Sequence, residues 1–242
     1  MTKSKREQME PRLQQLVERL KRAAGMNLHS VVLYGSAASS DFHENFSDLN
    51  VLCLLHDLSA SAMLVLSDTV EWWKKQKQSV PLLLSVDELT HAADVFAIEL
   101  LEMRRHHRVL YGEDLIADLH VPLHLHRIQV EHELRTKLIL LRQSFVRSST
   151  RKEEVLKLML ESVSSFLTLF RHSLIAMGGE PESSKRAMLQ QLQRKMNLDT
   201  RPFFELLTIR EGGLKPNALD AQTMFPTYLK AIEQVISAVD RL

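Results

Sequence analysis

Hydrophobic and polar positions follow two different patterns along this chain, and the change of pattern divides it into two parts. Up to about residue 115, short apolar runs typical of strands alternate with stretches of helical periodicity. From Leu123 onward only helical periodicity is found. We therefore predict an α+β protein with an α/β domain over residues 1–118, built on a mixed sheet with helices, and an all-α helical bundle over residues 119–242.

The first part is predicted to contain helices and strands in alternation. Apolar residues at helical spacing predict a helix over residues ~6–24, closed by Gly25, and another over residues ~60–78 that ends in lysines. Short runs rich in leucine and β-branched residues predict strands at 29–35, 48–55, 81–86 and 94–103. A basic segment over residues 104–112 follows the fourth of these strands.

The second part is predicted to contain only helices. Glycine, proline and asparagine, which stop helices, separate segments of helical periodicity. Four of the seven glycines of the chain lie in these breaks. The predicted helices span residues ~123–148, ~152–177, ~183–196, ~201–211 and ~217–241.

Composition narrows the class of protein. The chain has 242 residues, of which 45% are hydrophobic and 25% charged, which is the balance of an ordinary globular protein. Its 31 lysines and arginines nearly cancel its 30 aspartates and glutamates. The near-zero net charge therefore does not indicate nucleic-acid binding by the surface as a whole, although it is compatible with a local basic groove that binds nucleic acid.

Cysteine content and hydropathy bear on the cellular compartment of the protein. A single cysteine cannot form an intramolecular disulfide, which suits a reducing compartment. The basic N-terminus is not followed by the apolar stretch of a secretion signal, and the apolar runs are too short to span a membrane. We expect a cytoplasmic protein without a membrane partner. The sequence leaves a homo-oligomer open.

The segment that points to chemistry is VVLYGSAASSDFHENFSDLNVLCLL, residues Val31–Leu55. A strand leads into Gly35 and Ser36, and a second strand opens with Asp48 and Asn50. This segment resembles the motif of the nucleotidyltransferase superfamily, in which Gly-Ser is followed about ten residues later by Asp-x-Asp or Asp-x-Glu. Residues 93–115 and 169–183 are similar to regions of bacterial nucleotidyltransferase-domain proteins, which resemble aminoglycoside nucleotidyltransferases in plan.

The resemblance implies a role for each residue of the motif. Gly35 lets the backbone approach a triphosphate, and the Ser36 hydroxyl with the amides of the turn donates to phosphate oxygens. Asp48 and Asn50, at positions i and i+2 of a strand, face the same side and are the expected Mg²⁺ ligands. Bound magnesium would clamp a nucleoside triphosphate for transfer of a nucleotidyl group to a hydroxyl acceptor of unknown identity.

Asn50 departs from the family pattern, because an amide stands where the second carboxylate is expected. An amide oxygen ligates magnesium, but it is neutral and leaves the site one negative charge short. The family takes a third acid from a later strand, commonly as the general base, and Glu99 is the predicted residue. Glu102 and Asp94 are the alternatives.

Two functions of different classes follow from this departure. The first is an enzyme that transfers a nucleotidyl group from a magnesium-bound nucleoside triphosphate. The second is a catalytically inactive protein of the same fold that binds a nucleotide or a protein partner, in the manner of an antitoxin. The missing carboxylate supports the second, because losing a metal-bridging acid lowers the rate by about 10³-fold or more.

Three further clusters have structural as well as functional interpretations. The basic run Arg104–Arg108 either meets phosphate groups or forms a solvated surface turn. The histidines His106, His107, His124 and His126 lack standard zinc-ligand spacing, so we expect solvated positions on helices. Arg127 and His132 match the Arg-x4-His spacing of helical ribonuclease domains, which an arginine and a histidine reach easily by chance.

Overall fold

The computed structural model of the chain describes residues 5–38, 49–91 and 93–242. It divides into two compact units, Met1–Pro122 and Leu123–Leu242. The first carries a mixed sheet with helices and the second is helical, which confirms the predicted fold class. The functional domain limits at 118 and 119 stay a prediction.

The sheet of the first unit has four strands in the order β3-β2-β1-β4. Strand β1 pairs antiparallel with both of its neighbours, whereas β2 and β3 are parallel. The central strand β1 therefore ends beside the beginnings of both β2 and β4. The strands are β1 (Leu28–Tyr34), β2 (Asn50–Leu55), β3 (Leu82–Ser85) and β4 (His107–Gly112).

Helices cover both faces of this sheet. On one face, α1 and α3 contribute buried residues such as Leu16 and Trp73 to a core with Val31, Leu33 and Cys53. On the other face, α4 and α5 form a second core with Val32, Leu52 and Leu54. The helices are α1 (Lys5–Ala24), α2 (Ala60–Leu64), α3 (Ser67–Lys75), α4 (Val86–His91) and α5 (Ala97–Arg105).

The predicted fourth strand at 94–103 is wrong, because the structure forms helix α5 there. Ala97, Leu100 and Met103 are buried at helical spacing, i, i+3 and i+6, so a helix packs this apolar run against the sheet. The fourth strand is instead β4, in the segment that we described only as basic. The single helix predicted over 60–78 is also wrong, since it is divided into α2 and α3.

Strand β4 is fixed to β1 by a buried serine and a glycine. Ser30, fully buried, donates its hydroxyl to the backbone oxygens of Tyr111 at 3.1 Å and Glu113 at 2.8 Å. A Cβ on Gly112 would lie 2.0 Å from the backbone oxygen of His29, so no larger residue fits there. These contacts hold the far end of β4 in register with the start of β1.

The second unit is built around the long helix α7, which packs against α6, α8, α9 and α10. The rings of Phe166, Phe170, Phe203 and Tyr228 pack against one another in its core. Over the described residues, no helix is long and apolar enough to cross a membrane. The helices are α6 (His126–Ser148), α7 (Lys152–Ala176), α8 (Lys185–Met196), α9 (Arg201–Arg210) and α10 (Ala221–Asp240).

A buried pair of histidines joins α6 to α7. The His126 Nε2 and His172 Nδ1 atoms lie 2.9 Å apart, and both residues are almost completely buried. One nitrogen of this pair donates and the other accepts, so the two rings cannot both be protonated at the same time. Burial, with a smaller contribution from the charge of His172, lowers the pKa of His126 from 6.5 to about 4.

The low pKa of His126 makes the stability of the second unit depend on pH. Below pH 6.5 the unfolded chain binds a proton that His126 in the folded chain does not take up until about pH 4. Stability therefore falls as the pH falls through this window. We expect thermal unfolding to show a steeper loss of melting temperature between these pH values in the wild type than in His126→Gln. An identical pH dependence of the two proteins would contradict this.

Candidate functional site

The motif residues come together where β1 ends. Tyr34, the last residue of β1, pairs with Asn50 at the start of β2 and with His107 at the start of β4. The chain then enters a 3-10 helix, Gly35–Ala38, which we call the Gly35 turn. The antiparallel register therefore places Asn50 beside the Gly35 turn, although 15 residues separate Asn50 from Gly35 in sequence.

Gly35 is required by its backbone conformation and by its neighbours. Its φ of +76° lies in the left-handed region, which favours glycine. A Cβ at this position would lie 3.2 Å from the Asn50 Nδ2 atom. The Gly35 amide donates to the backbone oxygen of His106 at 2.9 Å, so it is already used within the fold. The sequence predicts that the amides of this turn donate to phosphate, but the Gly35 amide already donates to His106.

Asn50 lies on the sheet face that α5 covers. Leu52 and Leu54, which follow it at alternate positions of β2, belong to the core under α4 and α5, whereas Val51 and Cys53 face the opposite core. Because side chains alternate along a strand, Asn50 points to the same face as Leu52. Tyr34 is half-buried and also packs against the core on this face.

Glu99 lies at this end of the sheet, on a helix and not on the predicted strand. It is exposed in the first turn of α5, whose residues Ala97 and Leu100 pack against the core on the face of Asn50. Burial and, to a lesser extent, the negative charge of Glu99 raise the pKa of Tyr34. The Glu99 carboxylate is thus close enough to Tyr34 to raise its pKa, and Tyr34 is the residue that pairs with Asn50 in the sheet.

Asp48, the predicted first acid, lies outside the described residues. Ser36 is half-buried in the Gly35 turn. The amide oxygen of Asn50 and the carboxylate of Glu99 are donors of the type that magnesium accepts. Among the residues that the structure describes, however, no group of three or more histidine, cysteine, aspartate or glutamate side chains forms a metal site. The predicted role of Asp48 as a magnesium ligand therefore stays a prediction.

The basic run Arg104–Arg108 is separated by the structure into residues with different partners. Arg108 forms a two-point ion pair with Glu10 of α1, at 2.8 and 3.2 Å. His107 lies 3.0 Å from Asp114, and Arg104 donates to the backbone oxygen of Leu119 at 3.1 Å. Arg105 donates through Nε to His106 Nε2 at 3.0 Å. The backbone oxygen of His106 is therefore in contact with the Gly35 turn, and His107 pairs with Tyr34 directly before that turn.

The other predicted clusters have structural partners. His126 is buried against His172, and its pairing explains why it is not solvated as we expected. Arg127 forms an ion pair with Glu131 at 3.1 Å, whereas His132 is exposed on the same helix. Cys53 is fully buried, and burial raises its pKa to about 12, so its thiol stays protonated.

The chain has a four-stranded mixed sheet, helices on both faces of that sheet and a following helical bundle, and it shares this fold with a nucleotidyltransferase of known structure. A spectinomycin adenyltransferase from Enterococcus faecialis, crystallised with ATP and spectinomycin, has a similar structure, with a TM-score of 0.56. The similarity covers 93% of this chain and 98% of that protein at 13% sequence identity. No protein-family model and no curated protein matches the sequence.

Sequence reasoning missed Tyr34 and His106 as members of this end of the sheet. The sequence pattern assigns Tyr34 only to an apolar strand, although its position directly before Gly35 places it next to the motif. The role of His106 depends on the hydrogen bond from Gly35, which joins residues 71 positions apart. Only the pairing of β1 with β4 brings these two residues together.

The contact between Gly35 and Asn50 predicts a graded cost of mutation. Gly35→Ala places a Cβ in the left-handed region and against the Asn50 amide, so we expect a loss of about 2 kcal/mol in the free energy of unfolding. Gly25→Ala is the matched control in the same unit, because its φ is also positive but a Cβ there meets nothing within 4 Å. We expect it to cost about half as much.

Urea unfolding measures both variants, and Asn50→Ala identifies the source of the difference. In the Asn50→Ala background, Gly35→Ala should cost no more than Gly25→Ala. An undiminished cost would show that the Asn50 amide does not restrict this position.

Proposed function

We propose that this protein binds a magnesium-bound nucleoside triphosphate at the Gly35 turn and transfers a nucleotidyl group to a hydroxyl acceptor. One observation carries the proposal: the Gly35 turn, Asn50 and Glu99 lie together at one end of a sheet. The fold is that of an enzyme crystallised with ATP, which supports a nucleotide as the ligand. The acceptor is unidentified.

The Gly35 turn is suited to the phosphate groups. With no side chain at Gly35, the backbone at the end of β1 leaves room for a phosphate close to Asn50. The Ser36 hydroxyl is a donor for a phosphate oxygen. Since the Gly35 amide bonds to His106, we assign the donating role to Ser36 and to later amides of the turn.

Asp48 and Asn50 would hold magnesium. Bound there, the ion would neutralise charge on the triphosphate and polarise the phosphorus that is attacked. In the motif, the i and i+2 spacing of the two ligands reflects the alternation of side chains along a strand. Asn50 contributes an uncharged oxygen, which gives this pair one negative charge in place of two.

Glu99 would act as the general base. Glu99 is an exposed residue on α5, the helix that packs over the face of Asn50, so an acceptor molecule can approach it. It would accept the proton of the acceptor hydroxyl as the oxygen bonds to the α-phosphorus, with pyrophosphate as the leaving group. Glu99 lies on helix α5, whereas the family resemblance implied that this acid comes from a strand.

Asn50 specifically favours a second candidate, a protein that binds nucleotide without useful turnover. The fold and the Gly35 turn serve binding, whereas rapid transfer depends on the full charge of the metal site. Magnesium-dependent nucleotide binding without pyrophosphate release would identify this candidate.

The Asp48→Ala variant tests the proposed site. We expect thermal unfolding of the wild type to shift upward with magnesium and one of ATP, GTP, CTP or UTP, because ligand binds only the folded state. Asp48→Ala should lose the magnesium-dependent part of this shift. The exposed Asp118→Ala, at a distance in sequence from the motif, is the control and should keep it. Indifference of the wild type to all four nucleotides would refute the proposal.

The Asn50→Asp variant tests the effect of the missing carboxylate. If Asn50 limits the metal site, restoring the acid should raise the rate of magnesium-dependent pyrophosphate release by about 10-fold or more. Asn50→Ala should not raise it, which separates added charge from a change in packing. A rate in Asn50→Asp no higher than in the wild type would show that the amide is not the limiting feature.

A further inference from the structure

Tyr34 lies at the end of β1, but the proposed function gives it no role. It directly precedes Gly35 and is the partner of Asn50 in the pairing of β1 with β2. Residues directly opposite each other on antiparallel strands point to the same face, with Cβ atoms about 5 Å apart. Tyr34 is half-buried and packs against the core under α5, so its ring lies on this face. The phenol is therefore a neighbour of the proposed magnesium ligand.

The strand neighbour of Tyr34 on its other side holds helix α5 at this place. His107 is the partner of Tyr34 in the pairing of β1 with β4, and its Nδ1 atom lies 3.1 Å from the backbone oxygen of Met103 in the last turn of α5. The His107 Nε2 atom lies 3.0 Å from the Asp114 carboxylate, so both ring nitrogens are engaged. The C-terminal turn of α5 is thus held beside the end of β1.

Glu99 lies one helical turn before Met103, on the same side of α5. Four residues of an α-helix rise about 6 Å, and positions i and i+4 are neighbours on the helix surface. Met103 is buried against the sheet, whereas Glu99 is exposed. Burial and, to a lesser extent, the charge of Glu99 raise the pKa of Tyr34. Of the three acids considered for the general base, Glu99 is the one whose charge contributes to this shift.

We propose that Tyr34 is a positioning residue of the candidate site, whose hydroxyl orients the Glu99 carboxylate toward Asn50. This inference rests on the proposed function and deepens it, because it connects the proposed base to the proposed metal ligand through one side chain. A neutral phenol is a hydrogen-bond donor, and a carboxylate is an acceptor. Because the pKa of Tyr34 is raised, its hydroxyl keeps its proton and stays a donor.

The Tyr34→Phe variant tests the hydroxyl, because it keeps the ring. We expect kcat for magnesium-dependent pyrophosphate release to fall about 3-fold or more, with KM for the nucleotide unchanged, because the hydroxyl acts on Glu99 and not on the nucleotide. Tyr111→Phe is the matched control and should keep the wild-type kcat, since Tyr111 is half-buried in the same sheet but packs against the core on the opposite face. Equal kcat values of Tyr34→Phe and the wild type would overturn the proposal.

The Glu99→Gln background tests whether Tyr34 acts through Glu99. Glutamine carries no negative charge and cannot serve as the base, so Tyr34→Phe should lower kcat no further in this background. A hydroxyl that served only the packing of the sheet would lower kcat by the same factor in both backgrounds. Such an equal loss would contradict the proposal.

Urea unfolding separates this inference from the proposed function, because it requires no turnover. If the wild type releases no pyrophosphate, the transferase activity fails, and stability then decides on Tyr34. Tyr34→Phe and Glu99→Gln together should lower the free energy of unfolding by less than the sum of their separate effects, because both remove the same interaction. Tyr111→Phe with Glu99→Gln is the control pair, and its effects should add. Additive effects of the Tyr34 pair would overturn the proposal.

Discussion

The pairing of β1 with neighbours on both sides is the constraint on which the candidate site depends. Because both pairings are antiparallel, the end of β1 meets the beginnings of β2 and β4, so Tyr34 lies opposite Asn50 and His107. The hydrogen bond from Gly35 to His106 continues this arrangement past the end of the strand. One strand terminus thereby assembles residues from three separate segments of the sequence.

The chemistry of this strand terminus is a matter of charge. Asn50 contributes no charge, whereas Glu99 is an acid on α5, the helix that packs over the same face of the sheet. A nucleotide bound here would meet one metal-binding acid in the motif in place of two. Asn50 is therefore the residue on which the charge balance of the proposed site depends.

Much of the fold was predictable from the sequence, but the contacts of the site were not. Helix-breaking residues such as Gly178 and Pro202 delimited the helices of the second unit, and glycine after β-branched residues marked the end of β1. The strand predicted at residues 94–103 is wrong because a short apolar run is compatible with either a strand or a helix. The helix is favoured by the packing of Ala97 and Leu100 against the sheet, which the sequence pattern does not show. The apolar run of β4 is only three residues long, Val109 to Tyr111, and it directly follows basic residues, so it does not stand out as a strand. The Gly35–His106 bond depends on strand pairing, which local patterns do not encode.

The central claim is that a nucleotide binds at the end of β1, at the Gly35 turn and beside Asn50. A crystal structure of the protein with magnesium and a non-hydrolysable ATP analogue tests it most directly. Our account predicts phosphate oxygens within hydrogen-bond distance of Ser36, with Asn50 facing them. A nucleotide bound at another place in the chain, with the Gly35 turn making no contact to it, would contradict the account.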